Sequence, residues 1–198
     1  ALSATATAGD ITNSAGVLTI TGASTFTVAN TENITLGSDN TFSSTVTFAA
    51  SAGTIASVEI NDSNAFDIKP LTTTGGLTVT AGGNITDSGT VTVGGNLTAT
   101  TDASSGSIDL GDLAVTGTIT LTTHSGGAAT IDNGTANIDI AAASMGGNLT
   151  LTSGAAAGIT DSATVTVGGN LAATTNANSG VIDLGSLEVD GTMALTTH

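Results

Sequence analysis

The sequence predicts an all-β fold, a right-handed parallel β-helix (a β-solenoid), for a single domain over residues 1–198. Three observations predict it: a long internal repeat, short strands of alternating polarity, and too few large side chains for a thick globular core. A fixed repeat period is typical of solenoids, because each unit buries its apolar face against its neighbours. Right-handed winding follows from the preference of parallel crossover connections.

The sequence repeats itself with a period of about 74 residues. Residues 85–124 recur at residues 159–198, and 30 of these 40 positions are identical. Residues 11–48 resemble an older copy, because ITNS at Ile11 matches ITDS at Ile85 and ITLG at Ile34 matches IDLG at Ile108. The chain therefore divides into repeats at about 11–84 (eroded), 85–158 and 159–198 (partial), and we expect it to be a segment of a longer repetitive chain.

Short alternating runs of three to five residues fill one repeat. They begin at Leu77, Ile85, Val91, Leu97, Ile108, Leu113, Ile119, Ala129 and Ile138. Alternation places Val, Ile and Leu inward and Thr, Ser or Asp outward. Nine strands in one repeat predict three coils, each with about three short strands and roughly 25 residues. Turns such as GGN and SGT are expected to use a positive φ at Gly or Asn.

Composition supports a thin, regular interior. Only 2% of the residues are aromatic and 9% are charged, while 39% are hydrophobic, which argues against disorder. We expect all four phenylalanines, Phe26, Phe42, Phe48 and Phe66, to point into the core. An antiparallel sandwich would suit the strand lengths, but two-residue hairpin turns and recurring core aromatics are missing.

Charge excludes several partners. The formal net charge is −15 and Lys69 is the one basic side chain, so nucleic acid and anionic membrane surfaces are not expected partners. No apolar run approaches the roughly 18 residues that span a bilayer, so membrane insertion is not expected. The chain has no cysteine, which rules out disulfides and thiolate metal sites.

Threonine pairs in the first strand of successive coils form a candidate interaction face. Stacked coils would align them in a flat ladder of hydroxyl and methyl groups. The residues are Thr78, Thr80, Thr98, Thr100, Thr120, Thr122, Thr150 and Thr152. Such a ladder could bind ice, a neighbouring rod or a glycan, although threonine is also simply a good outward residue in a strand.

Several acidic residues are candidate ligands for a calcium ion. Adjacent coils would place Asp109 about 5 Å from Asp132, and NDSNAFD, which contains Asp62 and Asp67, is the densest cluster of oxygen ligands. The glycine- and aspartate-rich nonapeptide of calcium-binding β-rolls is absent. A solvated acidic face is the simpler interpretation, and no other cofactor is expected.

Catalysis has little support in the sequence. His124 and His198 occupy equivalent repeat positions, about 14 Å apart if three coils separate them, so they would not share a metal. The acids recur with the repeat, no arginine accompanies them, and Lys69 stands alone beside Pro70. We therefore do not expect an enzyme.

The phrases GGNLTLT at Gly146 and GGNITDSGTVTVGGNLT at Gly82 resemble the repeats of filamentous haemagglutinin-type adhesins and other giant repetitive bacterial surface proteins. The resemblance implies export, display at the cell surface or in the extracellular matrix, and a role in attachment or as a stalk. The very low content of Lys and Arg departs from that pattern.

Together these observations predict a structural and adhesive extracellular solenoid, forming a rod or filament of a bacterial surface adhesin or matrix fibre. Expected partners are other copies, end to end or side by side, further repeats of the same chain, and glycans or other cell surfaces. An ice-binding protein is the alternative, and a polysaccharide-active β-helix enzyme is a distant third.

Overall fold

The chain folds as a stack of short parallel strands. A computed structural model describes residues 1–177 and 179–198, and all 25 strands in them pair in parallel. About nine coils stack along one axis, which confirms the predicted all-β solenoid. At a strand spacing of about 4.8 Å, nine coils give a rod roughly 43 Å long. Right-handed winding stays a prediction from the crossover rule.

The largest sheet, called here the twelve-strand sheet, runs the length of the stack. Its main path is β2 (Ile11–Thr12), β5 (Ile34–Phe42), β7 (Val58–Asp62), β10 (Leu77–Ala81), β13 (Leu97–Ser104), β16 (Ile119–His124), β18 (Ile138–Met145), β20 (Ile159–Asp161) and β23 (Ile182–Asp183). Three further strands join it beside this path: β3 (Thr19–Ile20), β21 (Val165–Val167) and β24 (Leu187–Val189).

Three smaller sheets complete the coils. The seven-strand sheet contains β8 (Phe66–Ile68), β11 (Ile85–Asp87), β14 (Ile108–Leu110), β17 (Ala129–Asp132), β19 (Leu149–Ser153), β22 (Leu171–Thr175) and β25 (Met193–Thr196). The N-terminal sheet contains β1 (Leu2–Thr5), β4 (Ser24–Val28) and β6 (Val46–Ala50). The middle sheet contains β9 (Leu71–Thr73), β12 (Val91–Val93) and β15 (Leu113–Val115).

Inward residues form one continuous core. Alternate positions of the strands are buried, as in β12, where Val91 and Val93 are buried on either side of the partly exposed Thr92. All nine strands predicted for one repeat are present, from β10 to β18. The four phenylalanines are buried and pack on one another, with ring centroids 6.0 to 6.5 Å apart. The predicted core role of these rings is confirmed.

The coil is shorter than the sequence predicted. Leu2 pairs with Ser24 and Ser24 with Val46, and the main path from Ile11 to Ile159 crosses seven coils. A coil therefore averages about 21 residues, near the lower end of the range for solenoid repeats. Two sequence repeats span these seven coils, so one repeat spans about three and a half coils rather than three.

Long strands cause the difference in coil length. β18 pairs with both β20 and β21, and β5 pairs with both β2 and β3. One long strand thus replaces two short ones, and some coils have only two strands instead of the predicted three.

Because one repeat spans about three and a half coils, the phrase that begins at Ile85 and recurs at Ile159 lies on a different side of the rod in each copy. In the first copy, ITD forms β11 in the seven-strand sheet and LTATT begins β13 in the twelve-strand sheet. In the second copy, ITD forms β20 in the twelve-strand sheet and LAATT forms β22 in the seven-strand sheet. Equivalent strands of successive repeats thus lie in different sheets, on different sides of the rod.

Glycines of the GGN turns serve close packing rather than a positive φ, which corrects the expectation for these turns. None of these glycines, nor the asparagines that follow them, has a positive φ. A Cβ on Gly95 would lie 2.8 Å from the carbonyl carbon of Gly75 in the preceding coil, and one on Gly146 would overlap the carbonyl oxygen of Ser125. Only glycine lets the corner backbones of adjacent coils approach this closely.

We expect deletion of residues 85–158 to leave a shorter, cooperatively folded solenoid. Residues 159–198 would then take the positions of residues 85–124, from which they differ at only ten of 40 positions. Circular dichroism should retain its β signal, and the urea m-value should fall because less surface is buried. The matched control removes only residues 85–121, which joins unlike sides of the coil and should abolish cooperative unfolding. If both shortened chains unfold with the same cooperativity, the conclusion that successive repeats begin on different sides of the rod is wrong.

Candidate functional site

A groove lies between two coils near the N-terminal end of the stack. It has a volume of about 450 Å³ and lies between the segment 42–46 of one coil and the segment 62–69 of the next. The second segment contains most of NDSNAFD, which the sequence singled out. Phe42, Val46 and Phe66 are buried at its base, while Ser43, Ser44 and Thr45 are exposed at its rim.

Asp62 is a buried carboxylate at the wall of this groove. It ends β7 and is only 1% exposed. Its Oδ1 accepts hydrogen bonds from the backbone N–H groups of Phe42, at 3.1 Å, and Asn64, at 3.2 Å. Burial raises the pKa of Asp62, and these two hydrogen bonds and the charge of Asp39 only modify that shift. Within the described residues, no hydrogen-bond partner contacts its Oδ2.

Asp67 and Lys69 line the same groove as an ion pair. The Lys69 Nζ donates to Asp67 Oδ2 and, at 3.0 Å, to the Ser88 hydroxyl of the next coil. The Asp67 Oδ1 is shielded from solvent and has no hydrogen-bond partner among the residues that the structure describes. The groove therefore combines a lysine ammonium, hydroxyl groups and two carboxylates, each with an uncommitted oxygen. Such a surface can both donate and accept hydrogen bonds.

The calcium candidates do not converge. Asp109 is exposed and pairs with Thr130, so the expected contact with Asp132 is wrong. Asp132 instead accepts a hydrogen bond from the N–H of Gly134 in its own turn. Among the residues that the structure describes, no three His, Cys, Asp or Glu side chains form a group able to hold a metal ion. Asp62 and Asp67 line the groove already described.

The threonine face is split between two sheets. Thr78, Thr98 and Thr120 stack in one column of the twelve-strand sheet, and Thr80, Thr100 and Thr122 stack in a second column. Both columns stop after three coils: below they meet Glu59 and Asn61, and above they meet Ala142 and Ser144. Thr150 and Thr152 lie in β19 of the seven-strand sheet. The eight residues thus form one array of six and one separate pair.

The two histidines are also on different sides, because the repeat is not a whole number of coils. His124 ends β16 of the twelve-strand sheet, whereas His198 follows β25 of the seven-strand sheet. Each accepts a backbone hydrogen bond through its carbonyl oxygen, from Ser105 and Ser179 respectively. Both side chains are exposed.

Acidic side chains at the corners bind the next coil, a role that the sequence reasoning missed. Both carboxylate oxygens of Asp87 accept backbone hydrogen bonds, from Gly111 at 3.0 Å and Asp112 at 2.9 Å. Asp161, at the same repeat position, binds Gly185 and Ser186 in the same way. The signal was available, because these acids are identical between repeats.

The asparagine of the GGN turn does the same with its amide oxygen. Asn96, Asn148 and Asn170 each accept a hydrogen bond from the backbone N–H of the residue 22 positions later, at 2.8 to 3.0 Å. That residue lies at the same corner of the next coil. The phrase that recurs in the sequence therefore contains the groups that tie each coil to its successor.

Stacked parallel coils tied at their corners define the class of this chain, a tandem-repeat β-solenoid. Within that class, the chain belongs to the family described as repeats of unknown function (DUF5649), whose model matches residues 1–49 and 55–122. No curated protein and no solved structure matches the chain. Over the described part of the chain, no helix has the length and apolar character needed to cross a membrane.

We expect Asp87→Asn to destabilise the solenoid by about 1–2 kcal/mol, because the amide nitrogen cannot accept the second backbone hydrogen bond. Asp161→Asn should cost a similar amount, since that residue makes the same pair of bonds. Urea unfolding measures both. Asp109→Asn is the matched control, with the same change of charge at an exposed position of β14. A cost for Asp109→Asn equal to that of Asp87→Asn would show that charge, not bonding, matters.

We expect Asp62→Asn to raise stability at pH 7. Because burial raises the pKa of Asp62 in the folded chain, folding opposes its ionisation, and this penalty is complete above the raised pKa. It disappears as the pH falls below the ordinary value of an aspartate, about 3.9. Thermal unfolding from pH 7 to pH 3.5 should show the advantage of the variant shrinking as the pH falls. A variant less stable than the native chain at pH 7 would contradict this account.

Proposed function

We propose that the chain is a structural and adhesive rod, part of a bacterial cell-surface adhesin or extracellular matrix fibre. The observation that carries the proposal is the repetition of the same corner bonds from coil to coil, by Asp87 and Asp161 and by the asparagines of the GGN turns. These bonds add to the backbone ladders, so the stack resists bending and extends by simple addition of coils.

Surface chemistry supports an extracellular role of this kind. The outer positions carry mainly threonine and other small polar groups, and the net charge of −15 keeps such rods soluble and apart from polyanions. The resemblance of GGNITDSGTVTVGGNLT to filamentous haemagglutinin-type repeats supports export and display at the cell surface. Partners under this proposal are further repeats, other copies of the rod, and glycans on other cells. No catalytic role is proposed.

Attachment of living cells tests the proposal. We expect a non-adherent bacterium that displays the chain on its surface to attach severalfold better to a carbohydrate-coated plate than cells carrying the display anchor alone. Attachment no better than that of the anchor alone would overturn the adhesive role.

Display of the chain without residues 85–158 separates two routes to attachment. That deletion keeps the groove, but it breaks one of the two threonine columns, because Ala172 and Ala194 then take the positions of Thr98 and Thr120. Attachment that survives the deletion would point to the groove or to the shared rod surface. Attachment that is lost, while the shortened chain stays folded, would point to the threonine array.

Ice binding is the second candidate, favoured by the array of six threonines in two aligned columns of the twelve-strand sheet. The array ends after three coils, which limits it to a small face. An ice-recrystallisation assay at micromolar protein tests this candidate. Inhibition that is lost in the double variant Thr98→Leu and Thr100→Leu would favour it, and the absence of inhibition by the native chain would remove it.

A further inference from the structure

The groove between segments 42–46 and 62–69 holds a charged group that the fold does not need. Asn40 occupies the position paired with Asp62 in the preceding coil, and it is equally buried. Its amide satisfies the backbone there, accepting from the N–H of Leu18 at 2.9 Å and donating to two carbonyl oxygens of its own strand, β5. An asparagine at position 62 could accept both hydrogen bonds that Asp62 Oδ1 now accepts.

A carboxylate in place of that asparagine is unfavourable for the free protein. Burial without an ion pair costs free energy, and the one lysine of the chain pairs with Asp67 instead. A buried charge that weakens the fold and lines a cleft is typical of a functional site. Asp67 adds a second unfavourable feature, because its shielded Oδ1 has no donor.

The unused groups define what the groove would accept. Asp62 Oδ2 requires a hydrogen-bond donor, while Lys69 and the rim hydroxyls of Ser43 and Ser44 can donate to oxygen atoms. A ring with several neighbouring hydroxyl groups satisfies both needs at once, since each hydroxyl donates and accepts. A volume of about 450 Å³ lies in the range that holds small ligands. The two carboxylates disfavour acidic sugars and phosphates.

We propose that this groove binds a non-acidic hexose unit of a glycan, with Asp62 accepting a hydrogen bond from a sugar hydroxyl and Lys69 donating one to a sugar oxygen. The proposal deepens the adhesive part of the proposed function, on which it rests, by naming the ligand class and the place where it binds. Asp62 would be a binding residue whose charge is retained for the ligand at a cost to the fold.

The site belongs to the eroded repeat alone. Aligning FDI at Phe66 with IDI at Ile138 places Gly134 opposite Asp62 in the next repeat, and no lysine other than Lys69 occurs in the chain. The repeats at 85–158 and 159–198 therefore do not reproduce the groove chemistry, and we expect one hexose site in this chain.

Nuclear magnetic resonance titration of the full chain tests the proposal. The probes are the methyl glycosides of glucose, galactose, mannose and N-acetylglucosamine, with sialic acid and lysine methyl ester for comparison. We expect at least one glycoside to shift the backbone signals of residues 43–45 and 64–69, and Asp62→Asn to weaken its binding at least tenfold while the fold is kept. Asp109→Asn, the matched change of charge on the surface, should leave the affinity unchanged.

Three results would overturn the proposal: no shift at these residues with any glycoside, equal affinity in Asp62→Asn, or binding of lysine methyl ester alone, which would identify a site for cations. These results are distinguishable from failure of the proposed function. If displayed cells attach normally with Asp62→Asn, the rod is adhesive through another surface and only the groove proposal fails.

Discussion

Register between neighbouring coils is the constraint on which the rest of this structure depends. Strands pair in parallel from one coil to the next, so the backbone must return to the same corner once in every coil. Burial of the inward Val, Ile and Leu side chains opposes a shift by one residue, which would turn them outward, but a shift by two residues keeps the same face inward. The corners remove that freedom. Asp87 and Asn96 bind specific N–H groups of the next coil, and Gly95 leaves room for the backbone of the preceding coil.

Much of this architecture could be predicted from the repeat. The alternating runs from Leu77 to Ile138 are the strands of the structure, and Phe26 and the other rings lie in the core as expected. Coil length could not be predicted in the same way, because β18 continues through AAASM, a run without large branched side chains that reads as a turn. With that extra length, β18 pairs with two strands of the next coil, β20 and β21. One sequence repeat therefore spans about three and a half coils instead of the predicted three.

The burial of polar side chains in the interior could not be predicted from the sequence for a related reason. Asp62 and Asp87 both end an alternating strand, yet one is buried and the other binds at a surface corner. Asn133 also looks like a turn residue, but its side chain pairs with both the N–H and the carbonyl oxygen of Val115, as a further strand would. It thereby completes the edge of the middle sheet. Whether the side chain of such a residue points into the core or to the surface depends on where the coil turns, and the local sequence does not predict that position.

The half coil also decides how function can be distributed along the rod. A surface encoded in the repeat appears on the twelve-strand sheet in one copy and on the seven-strand sheet in the next, so it cannot build one long uninterrupted face. The threonine array shows this limit, because it ends after three coils while Thr150 and Thr152 lie elsewhere. Repeated surfaces suit a rod that meets neighbours on several sides. The proposed hexose site, by contrast, lies in the eroded repeat, where Asp62, Asp67 and Lys69 line one groove.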